Sequence, residues 1–469
     1  MGGFKQVAYY GVAILVLKGL GFLMLPIATR ILSQDEYGSL NFLVSISAVC
    51  SLLLSLGLPE LLFRQHFENE SERVVFFRDC LVVSLGVCFT FVVIAFLFTE
   101  HLISVLPGNV SGLNLRLLSI NLFASSVLAI PYSYYRLTDN AKHYCYLAVT
   151  HGVLQTTLSI ALLFTGFGVV GVMFSGAATA VLILFVSLFL LIPTLANVRT
   201  SKRQLNSRHG LFLLSILVSS LCLYASNGAE NWFIVAQEGE SALAVYFVAA
   251  QFALMTSFTF EPVRMWWFAK RFDVLANTPA QYGYKALLSL NIGLLLCAVM
   301  MVVAPVLFNI ALPSTYHGND IWLIALIMVV VFRHHSDVFN IACYKYGSGV
   351  WVSYINAGSA VLIISAFYYS IPVYQIDGVI VSLMAVQFLR SLVFVFVSQR
   401  LEHITYEYRV LFIPWASLIT ISIIAYVQPS YMYFIQSSVV VLLLCNLSRV
   451  YRREVMQGLK SLPKRSAYV

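Results

Sequence analysis

Along this chain apolar residues come in runs of about twenty, the length a helix needs to cross a bilayer, each closed by a short polar turn. The runs predict fourteen spanning helices, at 7–29, 37–63, 79–99, 113–135, 144–165, 169–193, 211–235, 241–263, 286–309, 319–342, 351–371, 377–398, 411–427 and 430–447. The last two are short and carry Pro414 and Gln428–Pro429 at their ends, so a hairpin that dips into the membrane is the alternative there. The first run has no small-residue cleavage site after it and reads as a retained helix, not a signal peptide.

Composition agrees with the pattern. Hydrophobic residues are 60% of the 469 and charged ones 10%, with a mean hydropathy of +0.86. A soluble domain carries about 25% charged residues. The fold class expected is therefore an all-α polytopic membrane protein. Orientation follows from Lys and Arg, which concentrate in cytoplasmic loops. With the N-terminus placed in the cytoplasm, 23 of the 28 fall on that side. Only Arg30 and Arg116 fall on the other, and Lys18, Arg333 and Arg390 lie inside spans. This puts both termini in the cytoplasm and makes the net charge of +8 a topology signal, with no nucleic-acid partner expected. The eight Cys form no CxxC or Cys/His ligand spacing, so they read as packing residues, with no metal and no cofactor. No loop holds a GxxxxGK[ST] nucleotide cradle.

The chain also repeats itself. GVVGVMFS (168–175) matches IDGVIVS (376–382) at Gly171, Val172 and Ser175 against Gly378, Val379 and Ser382. ILSQDEYGSL (31–40) has a fainter echo in IVAQEGESAL (234–243). A GxGxxG at Gly166, Gly168 and Gly171 has no strand before it and reads as a tight turn between helices. Two copies of a six-helix unit explain these pairs, and an even number of spans makes the copies parallel. The expected divisions are 1–199 and 200–410 for the two bundles and 411–469 for an extra helix pair with a basic tail.

LGFLMLPIATRILSQDEYGSLNFLVS, followed by LSLGLPELLFRQ (54–65), resembles the start of bacterial polysaccharide-unit flippases, the Wzx-like transporters of the MOP superfamily. The resemblance covers about residues 5–400 and implies the MOP/MATE-like pair of six-helix bundles. It further implies transport of an oligosaccharide on undecaprenyl pyrophosphate across the bacterial inner membrane, in O-antigen or lipopolysaccharide synthesis. Membrane lipid, a coupling H+ or Na+, a polysaccharide polymerase and a chain-length regulator come with it as partners. Family members often carry an Asp-Arg pair near the end of the seventh helix, where this chain has Glu230 and Asn231.

An ionisable side chain in mid-membrane costs about 2.5–3.5 kcal/mol on insertion scales and normally faces a partner or a wet cavity. Lys18 is too deep to snorkel, so it has either a partner inside the bundle or, as is favoured, a place on a cationic cavity wall. In the related lipid II flippases an Arg stands just before a similar LGF and contributes to such a cavity. In FRHHSDVFN (332–340), Arg333 and Asp337 are four apart and Asn340 continues their face. This is either a structural ion pair or a substrate or proton-coupling site with His334 and His335. Arg390 has no acidic neighbour at three or four positions. Glu60 with Arg64, and Glu261 with Arg264, read as pairs at the cytoplasmic interface and gate. Lys18, Arg333 and Arg390 together favour a strongly anionic ligand, pyrophosphate above all, because guanidinium forks match phosphate oxygens. Ion coupling would run through Glu230, Asn231, the His pair or Asp337. A multidrug extruder of the same superfamily would need acidic cavity residues, and against a lipid II flippase, the second alternative, the RILSQDEYGSL turn looks more like the polysaccharide branch. A membrane glycosyltransferase or polymerase would need a larger outer loop.

Overall fold

The structure, a computed structural model, describes residues 2–196, 198, 204–205, 209–317, 320–345 and 350–452. Arg199, Lys202, Arg203, Arg208 and the basic tail beyond Arg452, counted above for orientation, lie outside the described residues. Among the described residues the chain is helical, with no strand. The helices are α1 (Gly2–Ile31), α2 (Gln34–Ser55), α3 (Leu58–Arg64), α4 (Glu70–Leu97), α5 (Thr99–Val105), α6 (Gly112–Leu137), α7 (Ala141–Phe164) and α8 (Gly168–Ala196). They continue as α9 (Gly210–Ala225), α10 (Glu230–Asn277), α11 (Pro279–Ala311), α12 (Asp320–Phe339), α13 (Ile341–Lys345), α14 (Val350–Leu401), α15 (Phe412–Val427) and α16 (Met432–Val450).

Twelve of the described helices are long and apolar enough to cross a membrane. The 52-residue α14 is two legs that meet at Gln375 (φ 51°, ψ −134°). The 16-residue α9 is the first half of a further span completed by the start of α10. Counted this way, fourteen legs occupy the fourteen apolar runs, and the C-terminal pair is long enough to cross.

Several runs that read as single spans are broken. The run 37–63 is divided at Leu56 (φ 51°) and Gly57 (φ 70°) into α2 and α3. Leu-Gly-Leu-Pro is apolar throughout, so hydropathy cannot mark the break, but Gly admits positive φ and Pro suits the start of the next helix. The run 211–235 is interrupted between α9 and α10, and 319–342 divides at Asn340. By contrast, the turn after the first span is written into its letters. Ser33 caps α2 by accepting the Glu36 N–H at 3.2 Å, and its own N–H donates to Glu36 Oε2 at 2.9 Å. Ser-Gln-Asp-Glu is thus a reciprocal capping box.

Two compact units emerge, Met1–Val245 and Tyr246–Val469, with the division inside α10 just past its kink at Gly239 (φ 86°). In the first, α6 packs on α4 and α8, and α1 and α8 both pack on α7. In the second, α12 lies between α11 and α14, and α15 and α16 both pack on α11. The matched turns of the repeat share a fastening. Ser175 bonds Ser159 through their hydroxyls, and Ser382 bonds Ser370 likewise at 2.9 Å. Gly171 and Gly378 each stand where a Cβ would crowd the preceding helix.

Candidate functional site

The densest polar cluster lies in the second unit, where α10, α12 and α14 carry four arginines and two carboxylates. Arg264 reaches Glu261 Oε1 at 2.8 Å and Asp337 Oδ2 at 3.3 Å. Asp337 therefore pairs across helices with Arg264, a partner that the i,i+4 spacing from Arg333 does not indicate. Asn340 interrupts α12 just beyond Asp337, and Arg271 braces that interruption. Its guanidinium donates to the Asp337 carbonyl at 3.2 Å and to Asn340 Oδ1 at 2.9 Å. The last carbonyls of a helix have no partner within the helix, and a cation there also suits its negative end.

Arg271 is 4% exposed, stacks on Phe268 at 4.0 Å, and leaves its Nε without a hydrogen-bond partner. Burial pushes its pKa down from the ordinary arginine value. Arg390, midway along the second leg of α14, is held in a similar way. Asn356 Oδ1 accepts from its Nε at 3.2 Å and its Nη2 at 3.0 Å, Gln387 Oε1 accepts from Nη1 at 3.1 Å, and the Phe394 ring lies 5.2 Å away. Both guanidiniums are thus solvated by neutral oxygens, which orient the charge without cancelling it. Arg333 lies half-buried on α12, one turn before Asp337.

The adjacent histidines diverge, as helix geometry requires. His334 is buried against Phe260 at 4.5 Å and fills a notch left by Gly293 of α11. His335 packs on Phe339 at 4.5 Å and Trp415 at 5.8 Å. No group of three or more His, Cys, Asp or Glu among the described residues has the spacing to hold a metal.

In the first unit Lys18 lies midway along α1 and is exposed. Glu230 is buried at the start of α10. Asn231 is engaged in fastening: its amide donates to Ser45 Oγ at 3.1 Å, Ser45 bonds the Tyr224 hydroxyl at 3.0 Å, and that hydroxyl accepts from Trp232 Nε1 at 3.0 Å. The expected Glu60–Arg64 pair is not formed among the described residues. Both side chains are exposed, and the Arg64 guanidinium lies over the Phe212 ring at 4.3 Å. A screened surface pair contributes too little to hold Arg64 away from an aromatic face.

Arg271, Asn356 and Gln387 were not among the expected site residues. Arg271 counts as one more loop cation in the orientation argument. The aromatic letters around it in MWWFAKRF are the one local sign that it would be stacked and not solvated.

Comparison with solved structures shows the fold. A lipid II flippase, MurJ, in an inward closed conformation aligns over 96% of this chain and 100% of its own, at 14% identity and a TM-score of 0.68. An inward-facing multidrug resistance MATE transporter of the MOP superfamily aligns over 84% and 98%, at 15% identity and 0.60. A MOP superfamily transporter from Pyrococcus furiosus aligns over 85% and 95%, at 14% identity and 0.51. No curated protein sequence matches the chain. A family model described as polysaccharide biosynthesis protein matches residues 27–264, which takes in the Ser33 capping box, the glycine turns at Gly57 and Gly168 and the Glu261–Arg264 pair. That match covers more than half of the 469 residues, and the chain belongs to the polysaccharide biosynthesis protein family, on a fold shared with MOP superfamily transporters.

Proposed function

We propose that this protein is a flippase that moves an oligosaccharide linked to undecaprenyl pyrophosphate from the cytoplasmic to the periplasmic leaflet of a bacterial inner membrane. One observation carries the reading: Arg271 and Arg390 are each held by neutral oxygens, within a cluster of four arginines and two carboxylates. With four guanidiniums against two carboxylates the cluster keeps a net positive charge, which attracts a strongly anionic ligand, and guanidinium forks suit phosphate oxygens. Family membership supports polysaccharide synthesis as the context. A cationic drug would meet repulsion at the same cluster, which counts against multidrug extrusion.

In this reading Arg333 and Arg390 contact the pyrophosphate, and Lys18 on α1 is assigned to the same lipid's phosphates. The excess of Lys and Arg in alternate loops supports cytoplasmic termini. Asp337 sits beside Arg264, so protonation of its carboxyl or entry of an ion would loosen that pair, and we assign coupling to it. The test is reconstitution in vesicles with a fluorescent undecaprenyl-pyrophosphate sugar and an impermeant quencher outside. Protected fluorescence should become accessible faster than in empty vesicles; equal rates would remove the transport reading.

A further inference from the structure

At the end of the first unit away from the basic loops, four connections converge on a cavity of about 630 Å³. The α1–α2 turn brings Asp35 and Glu36, the segment between α5 and α6 brings Asn109 with Asn114 just inside α6, the α7–α8 turn brings Phe167, and the α10 kink brings Glu240. We propose that this cavity binds a neutral saccharide. The inference rests on the transport reading above for its biology, and assigns to this site the sugar portion of the substrate, separate from its pyrophosphate.

Every charged group named on the wall is an acceptor. Two of the carboxylates are fixed through one oxygen each. Glu36 Oε2 accepts from the Ser33 N–H at 2.9 Å and its hydroxyl at 3.0 Å, and Glu240 Oε1 accepts from the Asn109 N–H at 2.9 Å. Their other oxygens are thereby positioned before a ligand arrives, which reduces the ordering needed on binding. Glu240 is held further by its neighbours. A Cβ on Gly38 would collide with its backbone carbonyl, and Gly108, at φ +81°, lies against its carboxylate.

The observation that points to a ligand is Asn114. It is 6% exposed, it lines the cavity, and its Oδ1 has no hydrogen-bond partner. Buried acceptors are nearly always satisfied, so an orphan on a cavity wall calls for a donor from the cavity's occupant. Beside it Phe167 is 58% exposed and offers an aromatic face on the same wall.

The chemistry narrows the occupant. Three carboxylates repel an anion. A directly coordinated metal is disfavoured, because no three acidic, His or Cys groups among the described residues stand at metal spacing. The volume falls within the range of organic-ligand pockets, roughly 300–1,000 Å³. A ring with several hydroxyl donors and one apolar C–H face matches both the acceptors and the aromatic face.

The full chain in detergent, probed by saturation-transfer NMR and titration, tests this. The neutral probes are maltose and the disaccharide of N-acetylglucosamine, and the acidic probe is digalacturonate. At least one neutral probe should bind and the acidic one should not. Phe167→Ala and Asn114→Leu should each weaken binding about tenfold, and Asn114→Leu should keep or raise the unfolding temperature because it removes an unpaired buried acceptor. No binding of either neutral probe, equal binding of the acidic one, or unchanged binding by both variants would overturn the site. Flipping in vesicles separates the two readings. Absence of saccharide binding by the unaltered chain with flipping intact removes the site alone, whereas binding without flipping upholds the site and removes the transport reading.

Discussion

The arginine cluster of the second unit and the acid-lined cavity of the first hold charge in opposite ways. In the cluster, Arg271 is buried and Arg390 half-buried, and each donates to carbonyl or amide oxygens. In the cavity, Asp35 and Glu36 are exposed, and Glu36 and Glu240 are tethered by hydrogen-bond donors. Neutral acceptors orient a cation without bringing a negative charge of their own, while tethered carboxylates at an open surface act mainly by geometry.

The largest break in that contrast is expected at Arg390. Arg390→Met should lower lipid flipping by about a hundredfold, ~3 kcal/mol, since loss of a hydrogen-bonded charge from a ligand contact has effects of that order. Arg390→Lys should restore part of the rate, because the charge returns without the fork. A flipping rate within threefold of wild type (~0.65 kcal/mol) in Arg390→Met would remove the cluster's role. Next come two glycines whose neighbours differ in compliance. Gly38→Ala forces a Cβ into the Glu240 backbone, whereas Gly293→Ala meets only the His334 ring. We expect losses of about 3 and about 2 kcal/mol in folding stability, read as unfolding midpoints in detergent, with the backbone clash the worse.

What was legible from the letters was local. Apolar runs, the Ser33–Glu36 box and the glycine turns at Gly171 and Gly378 each depend on a few adjacent residues, so their positions follow from spacing. The break at Leu56–Gly57 was not, since the chain on both sides is apolar and only backbone geometry separates the halves, whereas the break before Glu230 falls on the polar Ser226-Asn227-Gly228 turn that the fourteen-run reading passed over. The site was half legible. Arg333, His334 and Asp337 stood out as charges in an apolar run, but the partner of Asp337 is 73 residues away and that of Asn340 is 69 away. Periodicity cannot choose among distant helices. Arg390 announced that it needed a partner, and nothing in its neighbourhood named Asn356.

Asp337→Asn sharpens the contrast from the other side. Removing one of two carboxylates from the cluster leaves more positive charge for the ligand. The Asp337 side chain is 31% exposed and partly screened, so the gain in affinity for the pyrophosphate lipid should be modest, about fivefold or ~1 kcal/mol. Binding is measured by titration in nanodiscs, and weaker binding would show that Asp337 serves the site by positioning Arg264 more than by limiting its charge.

The smallest effect is expected where charge meets water. The spacing of Glu60 and Arg64 suggests an ion pair, but Arg64 lies on Phe212. If the ring is what holds Arg64, Glu60→Ala should leave stability unchanged within the error of a melt, while Arg64→Ala should cost about 0.5 kcal/mol, the range of an exposed cation–π contact. Arg64→Lys should retain part of this and Phe212→Leu should abolish the difference between Arg64 and Ala. An equal loss from Glu60→Ala and Arg64→Ala would restore the ion pair, and with it the view that exposed charges in the first unit are organised by one another and not by the apolar surface beneath them.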